Sequence, residues 1–178
     1  MRPLEVVARP SFKRHEREWL ARLRAARDPD KSAPHITLVF PGADLPWQDF
    51  AAEIRERIKG VRQICFQLCS AVVVSDPQVQ AFHVFLVPDE GCGAITRLYD
   101  RLHSGKLAPI LRTDITYLPH VTVASADDWA TAHRLATQLN AQDFSVAGRI
   151  TELEVHQRDG NTVRIVATIP LKKRGIFG

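Results

Sequence analysis

Apolar positions along the chain alternate between strand spacing and helix spacing, and the order of the switches outlines a fold. Residues 4 to 8 (LEVVA) form a short apolar run that predicts a strand. Pro10 and Ser11 punctuate the start of a helix running to about Arg27, with Phe12, Trp19, Leu20, Leu23 and Ala26 as its apolar stripe. After the breaker DPDKSAP, residues 35 to 40 (HITLVF) predict a strand. PGADLP then leads to a second helix over about 46 to 59, with Pro46 near its first turn and Trp47, Phe50, Ile54 and Ile58 on its buried face. Runs 64 to 74 and 79 to 87 are β-rich and joined by SDPQ, as in a hairpin, and a third helix fits 93 to 104.

The same order then recurs. A strand over 119 to 124 is followed by a helix over 126 to 140, a strand over 143 to 157, the turn RDGN and a strand over 161 to 169. Ser125 ahead of Asp128 resembles a helix cap. Each half reads helix, strand of the form P-H-[IV]-T-[LV], helix with a tryptophan in its first turn, then a hairpin opening on Phe66 or Phe144. This internal duplication predicts an α+β fold of two pseudo-symmetric lobes, each an antiparallel sheet with helices on its outer face, and a cleft between them. No linker rich in Gly, Ser or Pro separates the halves, so residues 1–178 are expected to form a single bilobal domain.

Composition changes this picture little. The 178 residues are 45% hydrophobic and 25% charged, ordinary for a globular domain, and 24 Lys and Arg against 20 Asp and Glu permit an anionic partner without demanding one. Cys65, Cys69 and Cys92 lack CxxC spacing and read as buried free thiols. There is no signal-like N-terminal segment and no apolar run of the roughly 20 residues that span a bilayer, so a cytoplasmic protein with no membrane partner is expected. Nothing in the sequence calls for an obligate protein partner.

Candidate chemistry lies in the repeated strands. Pro34-His35-Ile36-Thr37-Leu38 and Pro119-His120-Val121-Thr122-Val123 match at five successive positions and lie 85 residues apart. A single His-x-Thr is a common accident; two in equivalent places are not. Strand alternation puts His35 and Thr37 on one face and Ile36 and Leu38 on the other, and likewise for His120 and Thr122. A twofold relation between lobes brings the polar faces together across a cleft. Such a pair of imidazoles suits a phosphodiester: one deprotonates the attacking oxygen and the other protonates the leaving oxygen, while the threonine hydroxyls hold the phosphate. No cofactor is implied, and two histidines without clustered carboxylates or thiols fall short of a metal site. The bland alternative is a pair of satisfied histidines at a buried lobe interface.

These paired motifs in a duplicated α+β chain resemble the two-histidine phosphoesterase superfamily, in particular its 2′-5′ RNA ligase or LigT-like branch. The resemblance implies that His35 and His120 are the catalytic pair, that Thr37 and Thr122 bind the substrate phosphate, and that the substrate is a 2′,3′-cyclic or 2′-5′ phosphodiester of a nucleotide or RNA terminus. Three functions remain open at this point: a phosphoesterase, a binding module that holds such an end without turnover, and an RNA ligase running the reaction in reverse. Tyr117 could line the cleft but reads as packing, and Arg112, Lys31 and the tail LKKRGIFG read as solvated charge rather than phosphate contacts. His83 and His156 read as structural or surface residues, and His15, His103 and His133 as exposed.

Overall fold

The computed structural model describes residues 2–25, 27, 33–43, 45–76, 79–160 and 162–173. Its elements run β1 (Leu4–Ala8), β2 (Ser11–Phe12), α1 (Arg14–Ala25), β3 (Ile36–Ala43), α2 (Trp47–Arg57), β4 (Ile64–Asp76), β5 (Ala81–Pro88), α3 (Cys92–Leu102), a 3-10 helix (Gly105–Ile110), β6 (Val121–Ala126), α4 (Trp129–Asn140), β7 (Val146–Ile150), β8 (Glu152–Asp159) and β9 (Thr162–Pro170). Met1, Ala26, Lys31 and the rest of 28–32, Asp44, residues 77, 78 and 161, and the residues from 174 onward lie outside the described residues, so parts of the SDPQ and RDGN segments and most of LKKRGIFG do too.

Two antiparallel sheets carry the fold, with strand orders β3-β1-β8-β9 and β2-β7-β4-β5-β6. Counted inward from the motif strand, β3-β1-β8-β9 matches β6-β5-β4-β7, so the expected pseudo-symmetry is present. The lobes are not the two halves of the chain, however. The first half ends in the hairpin of β4 and β5, paired from Leu68↔Pro88 to Asp76↔Ala81, and this hairpin lies in the second sheet, where β4 also pairs with β7 and β5 with β6. The second half ends in the hairpin of β8 and β9, which returns to the first sheet, where β8 pairs with β1 from Leu4↔Gln157 to Ala8↔Leu153. Helices cross over too: α1 packs on β6 and α3 on β3, while α4 covers β4, β5 and β6. Each sheet is therefore completed by the other half, and neither half has a sheet of its own.

Several expectations are corrected. The strand expected over 143 to 157 is two strands, broken at Thr151, because β7 pairs with β4 and β8 with β1. The burial phase shows why: Val146 and Ile150 are buried on even positions, whereas Leu153 and Val155 are buried on odd ones. The cap of α4 is Asp128, whose carboxylate accepts from the Thr131 amide at 2.8 Å, and not Ser125. Cys65 is exposed and Cys69 and Cys92 are half-buried, although all three are free. His103, expected at the surface, is buried, with Nδ1 donating to the Tyr99 carbonyl at 2.9 Å. Among the described residues no helix is long and apolar enough to cross a membrane.

The core forms where the inner faces of the strands meet the helix stripes, and Leu38, Phe50, Ile54, Leu86, Val123 and Ile150 are all fully buried in it. At the edge of the second sheet, Gly148 sits beneath Phe12 and Phe66, whose rings meet edge to face at 6.1 Å. A Cβ at Gly148 would lie 2.3 Å from Phe66 Cζ and 2.8 Å from Phe12 Cε1. Gly148→Ala is expected to destabilise the protein by about 1–3 kcal/mol through overpacking. Urea unfolding with an unchanged m-value would read this directly, and an unshifted midpoint would show that the rings can move aside.

Candidate active site

His35 immediately precedes β3 and His120 immediately precedes β6, each the outermost strand of its sheet. Alternation runs as the residue pattern requires: Ile36 and Val121 are 1% exposed, Leu38 and Val123 are fully buried, and the histidines and threonines are half-buried on the opposite face. Both strands thus turn one face to the core and the other away from the helices.

The two imidazoles are held in the same way. His35 Nδ1 lies 3.1 Å from the Ala33 carbonyl oxygen and His120 Nδ1 lies 2.7 Å from that of Leu118. A carbonyl can only accept, so in each ring Nδ1 carries the hydrogen and, in the neutral form, Nε2 is the basic nitrogen. The motif therefore fixes the tautomer twice, each time through the residue two positions earlier.

The motifs also touch one another. Tyr117 donates its hydroxyl to the Thr37 carbonyl at 3.0 Å, tying the segment before β6 to the middle of the other motif strand. Its ring stacks on Tyr99 at 3.7 Å, and burial pushes its pKa well above the ordinary tyrosine value, so Tyr117 is a brace between lobes, as its reading as packing anticipated. His35 and His120 lie close enough for charge on one to oppose charge on the other. Burial is the largest cause that pushes the His120 pKa down to about 4; repulsion from His35 and His83 adds to it, and the bond to Leu118 only partly offsets them. Some solvent reaches the ring, yet its packing strips most of its hydration, and at neutral pH it carries no charge.

Sequence reasoning missed the packing that encloses His120. Phe85 stacks on its ring at 3.6 Å with an interplanar angle of 11°, and His83 stacks on the far side of Phe85 at 5.9 Å. His83 Nδ1 bonds the Ser125 hydroxyl at 2.8 Å. The signal was available in β5, where Val84 and Leu86 are core positions and His83 and Phe85 must then face the motif side. Arg112 does not stand ready for phosphate: it is paired with Asp114 and lies over the Phe40 ring at 5.9 Å. His156, expected to be structural or at the surface, is 3% exposed and structural. His15 and His133 are exposed, as expected.

Among the described residues, no group of three or more His, Cys, Asp or Glu side chains is placed to hold a metal ion. A cavity of about 690 Å³ lined by Arg62, Arg97 and Arg101 contains neither motif histidine. Chemistry rather than volume therefore locates the candidate site, between the two His-x-Thr strands.

Comparison with known proteins bears on the family and the fold. The model of the 2′-5′ RNA ligase superfamily matches residues 12–162. The fold is similar to that of Usb1 from Kluyveromyces marxianus solved with uridine monophosphate, at 11% identity and a TM-score of 0.59, covering 96% of this chain and 98% of that one. It is likewise similar to LigT from E. coli in its apo form, at 14% identity and a TM-score of 0.58, covering 96% and 98%. LigT complexed with 3′-AMP gives 14% identity and a TM-score of 0.56 over the same shares. No curated protein matches the sequence.

The depressed pKa of His120 has a measurable consequence. Its folded value lies below the unfolded value of about 6.5, so its stabilising contribution is complete above pH 6.5 and is lost as pH falls toward 4. An NMR titration of the His120 ring is expected to show a midpoint near 4. A midpoint at the ordinary histidine value would contradict the packing described for the ring.

Proposed function

Since the chain belongs to the 2′-5′ RNA ligase superfamily, we propose that it is a metal-independent phosphoesterase for 2′,3′-cyclic or 2′-5′ phosphodiesters of nucleotides or RNA ends, with His35 and His120 as its acid and base. The observation that carries this reading is the matched Nδ1 clamp, which leaves Nε2 of both histidines as the atom able to exchange a proton. A pair of merely structural histidines has no need of identical tautomers on two symmetry-related strands.

His120 is the member suited to the base, being neutral at pH 7. In hydrolysis, its Nε2 takes a proton from water as the water oxygen bonds to phosphorus. The bond from phosphorus to the 2′ or 3′ ribose oxygen breaks, and that oxygen takes a proton from His35 Nε2. Thr37 and Thr122, two residues along each strand on the same face, donate hydroxyl hydrogen bonds to non-bridging oxygens as charge builds there. In the joining direction the histidines exchange roles. The ligands named for the similar structures, uridine monophosphate and 3′-AMP, support a nucleotide phosphate as the group recognised.

The test is turnover, in EDTA, of a nucleoside 2′,3′-cyclic phosphate and of a 2′-5′ dinucleotide, with products resolved by chromatography. His35→Ala and His120→Ala are each expected to lower kcat/KM by roughly 10²- to 10⁴-fold, and the wild-type pH profile should be bell-shaped. Thr37→Val and Thr122→Val should each cost about 10²-fold, mainly in kcat. Retained activity in either histidine variant would overturn the mechanism, and unchanged ligand bound by folded wild type would point to a binding module instead.

A further inference from the structure

The motif face of the first sheet carries more than His35 and Thr37. Strand registers place Thr37 opposite Val7, Val7 opposite Glu154, and Glu5 opposite His156. Leu4, Val6, Ala8, Leu153 and Val155 on the alternate positions are core residues, so Glu5, Arg9, Glu154, His156 and Arg158 share the face of Thr37. Glu5 and His156 are 3% exposed and Glu154 is 8% exposed, an unusual burial of charge.

These side chains form one continuous chain of contacts. Arg158 Nη2 meets Glu5 Oε1 at 3.0 Å, and Glu5 Oε1 lies 3.3 Å from His156 Nδ1. His156 Nε2 donates to Glu154 Oε2 at 2.7 Å, and the same oxygen accepts from Arg9 Nε at 2.6 Å. Arg9 then reaches outward, with Nη1 donating to the Ala33 carbonyl at 3.2 Å. That oxygen is the one that accepts from His35 Nδ1. Burial opposes charge on His156, but bonds to a carboxylate on each side outweigh it and hold its pKa above the ordinary value. The imidazolium thus links two carboxylates, and Glu154 is fixed as the anchor for Arg9.

Ala33 stands before Pro34, outside any strand or helix, so its carbonyl is not part of a sheet ladder. Removing charges from water onto a sheet face is costly, and an apolar face would be cheaper unless the charges hold something in place. At the second motif the arrangement differs. Among the described residues, the Leu118 carbonyl is bonded by His120 and by no arginine.

We infer that Arg9, braced by Glu154 and His156, is a positioning residue that fixes the Ala33 carbonyl and through it the tautomer and direction of His35. Its effect on turnover rests on the acid–base reading of His35 given above; its effect on the imidazole does not. The asymmetry also supplies a control within the same molecule, since His120 is clamped without it.

The experiment is long-range ¹H–¹⁵N correlation of the histidine rings at pH 8 in wild type, Arg9→Gln, Arg9→Lys and Glu154→Gln, with kinetics on the same samples. Wild type should show His35 with hydrogen on Nδ1. Arg9→Gln, Arg9→Lys and Glu154→Gln should move His35 toward a mixture of tautomers and leave His120 unchanged, and kcat should fall by roughly tenfold to a hundredfold with KM little altered. Lysine keeps the charge but cannot bridge Glu154 and Ala33 together, so it should not rescue. If Glu154→Gln fails to fold, the Arg9 variants decide, because the Arg9 side chain is 25% exposed and its loss leaves no cavity in the core. An unchanged His35 tautomer in folded Arg9→Gln would overturn the inference. So would a rise in KM at constant kcat, which would make Arg9 a substrate contact. A tautomer shift without any wild-type turnover would leave the positioning role standing and count against the proposed reaction alone.

Discussion

A nitrogen that donates its hydrogen to a backbone carbonyl cannot also accept a proton, and this constraint at Nδ1 of His35 and His120 organises the candidate site. It sends acid–base chemistry to Nε2 in both rings. It also makes the backbone just before each motif strand part of the machinery, because the acceptors are the carbonyls of Ala33 and Leu118. Whatever holds those carbonyls holds the imidazoles. Tyr117, one residue before Leu118, is braced by stacking on Tyr99 and by its bond to Thr37, while Ala33 is reached by Arg9 from β1's end of the first sheet.

The interlaced topology serves the same constraint. A duplicated chain whose halves folded separately would place each motif on an independent body, free to drift relative to its twin. Here β4 crosses to the second sheet and β8 to the first, and each motif strand lies at the edge of a sheet built from both halves. The two motif strands therefore cannot be carried apart as independent half-chain bodies without breaking the ladders that join the halves within each sheet. The spacing that the proposed acid–base chemistry needs thus depends on both halves of the chain together.

Much of this was legible in the sequence because alternation in a strand is local. The pairs His35 with Thr37 and His120 with Thr122 declare their face within five residues, and the repeated order of elements implies the cleft. What escaped depended on pairing, which is not local. The strand expected over 143 to 157 hid a change of phase between Ile150 and Leu153, where the chain passes from one sheet to the other. Glu5, Glu154 and His156 are far apart in sequence and reveal their network only once β1 and β8 are in register. Phe85 was legible in principle, since Val84 and Leu86 flank it as core, but its stacking on His120 needed the β5–β6 ladder. His103 escaped because its partner is a backbone carbonyl one helical turn back, which no residue pattern signals.

A crystal structure of the protein soaked with a nucleoside 2′-monophosphate would show whether a phosphate binds between the two motifs, as proposed. Phosphate oxygens are expected within hydrogen-bond distance of Nε2 of both His35 and His120, with the hydroxyls of Thr37 and Thr122 directed at the non-bridging oxygens. A nucleotide seated instead in the cavity lined by Arg62, Arg97 and Arg101, with both histidines untouched, would contradict it.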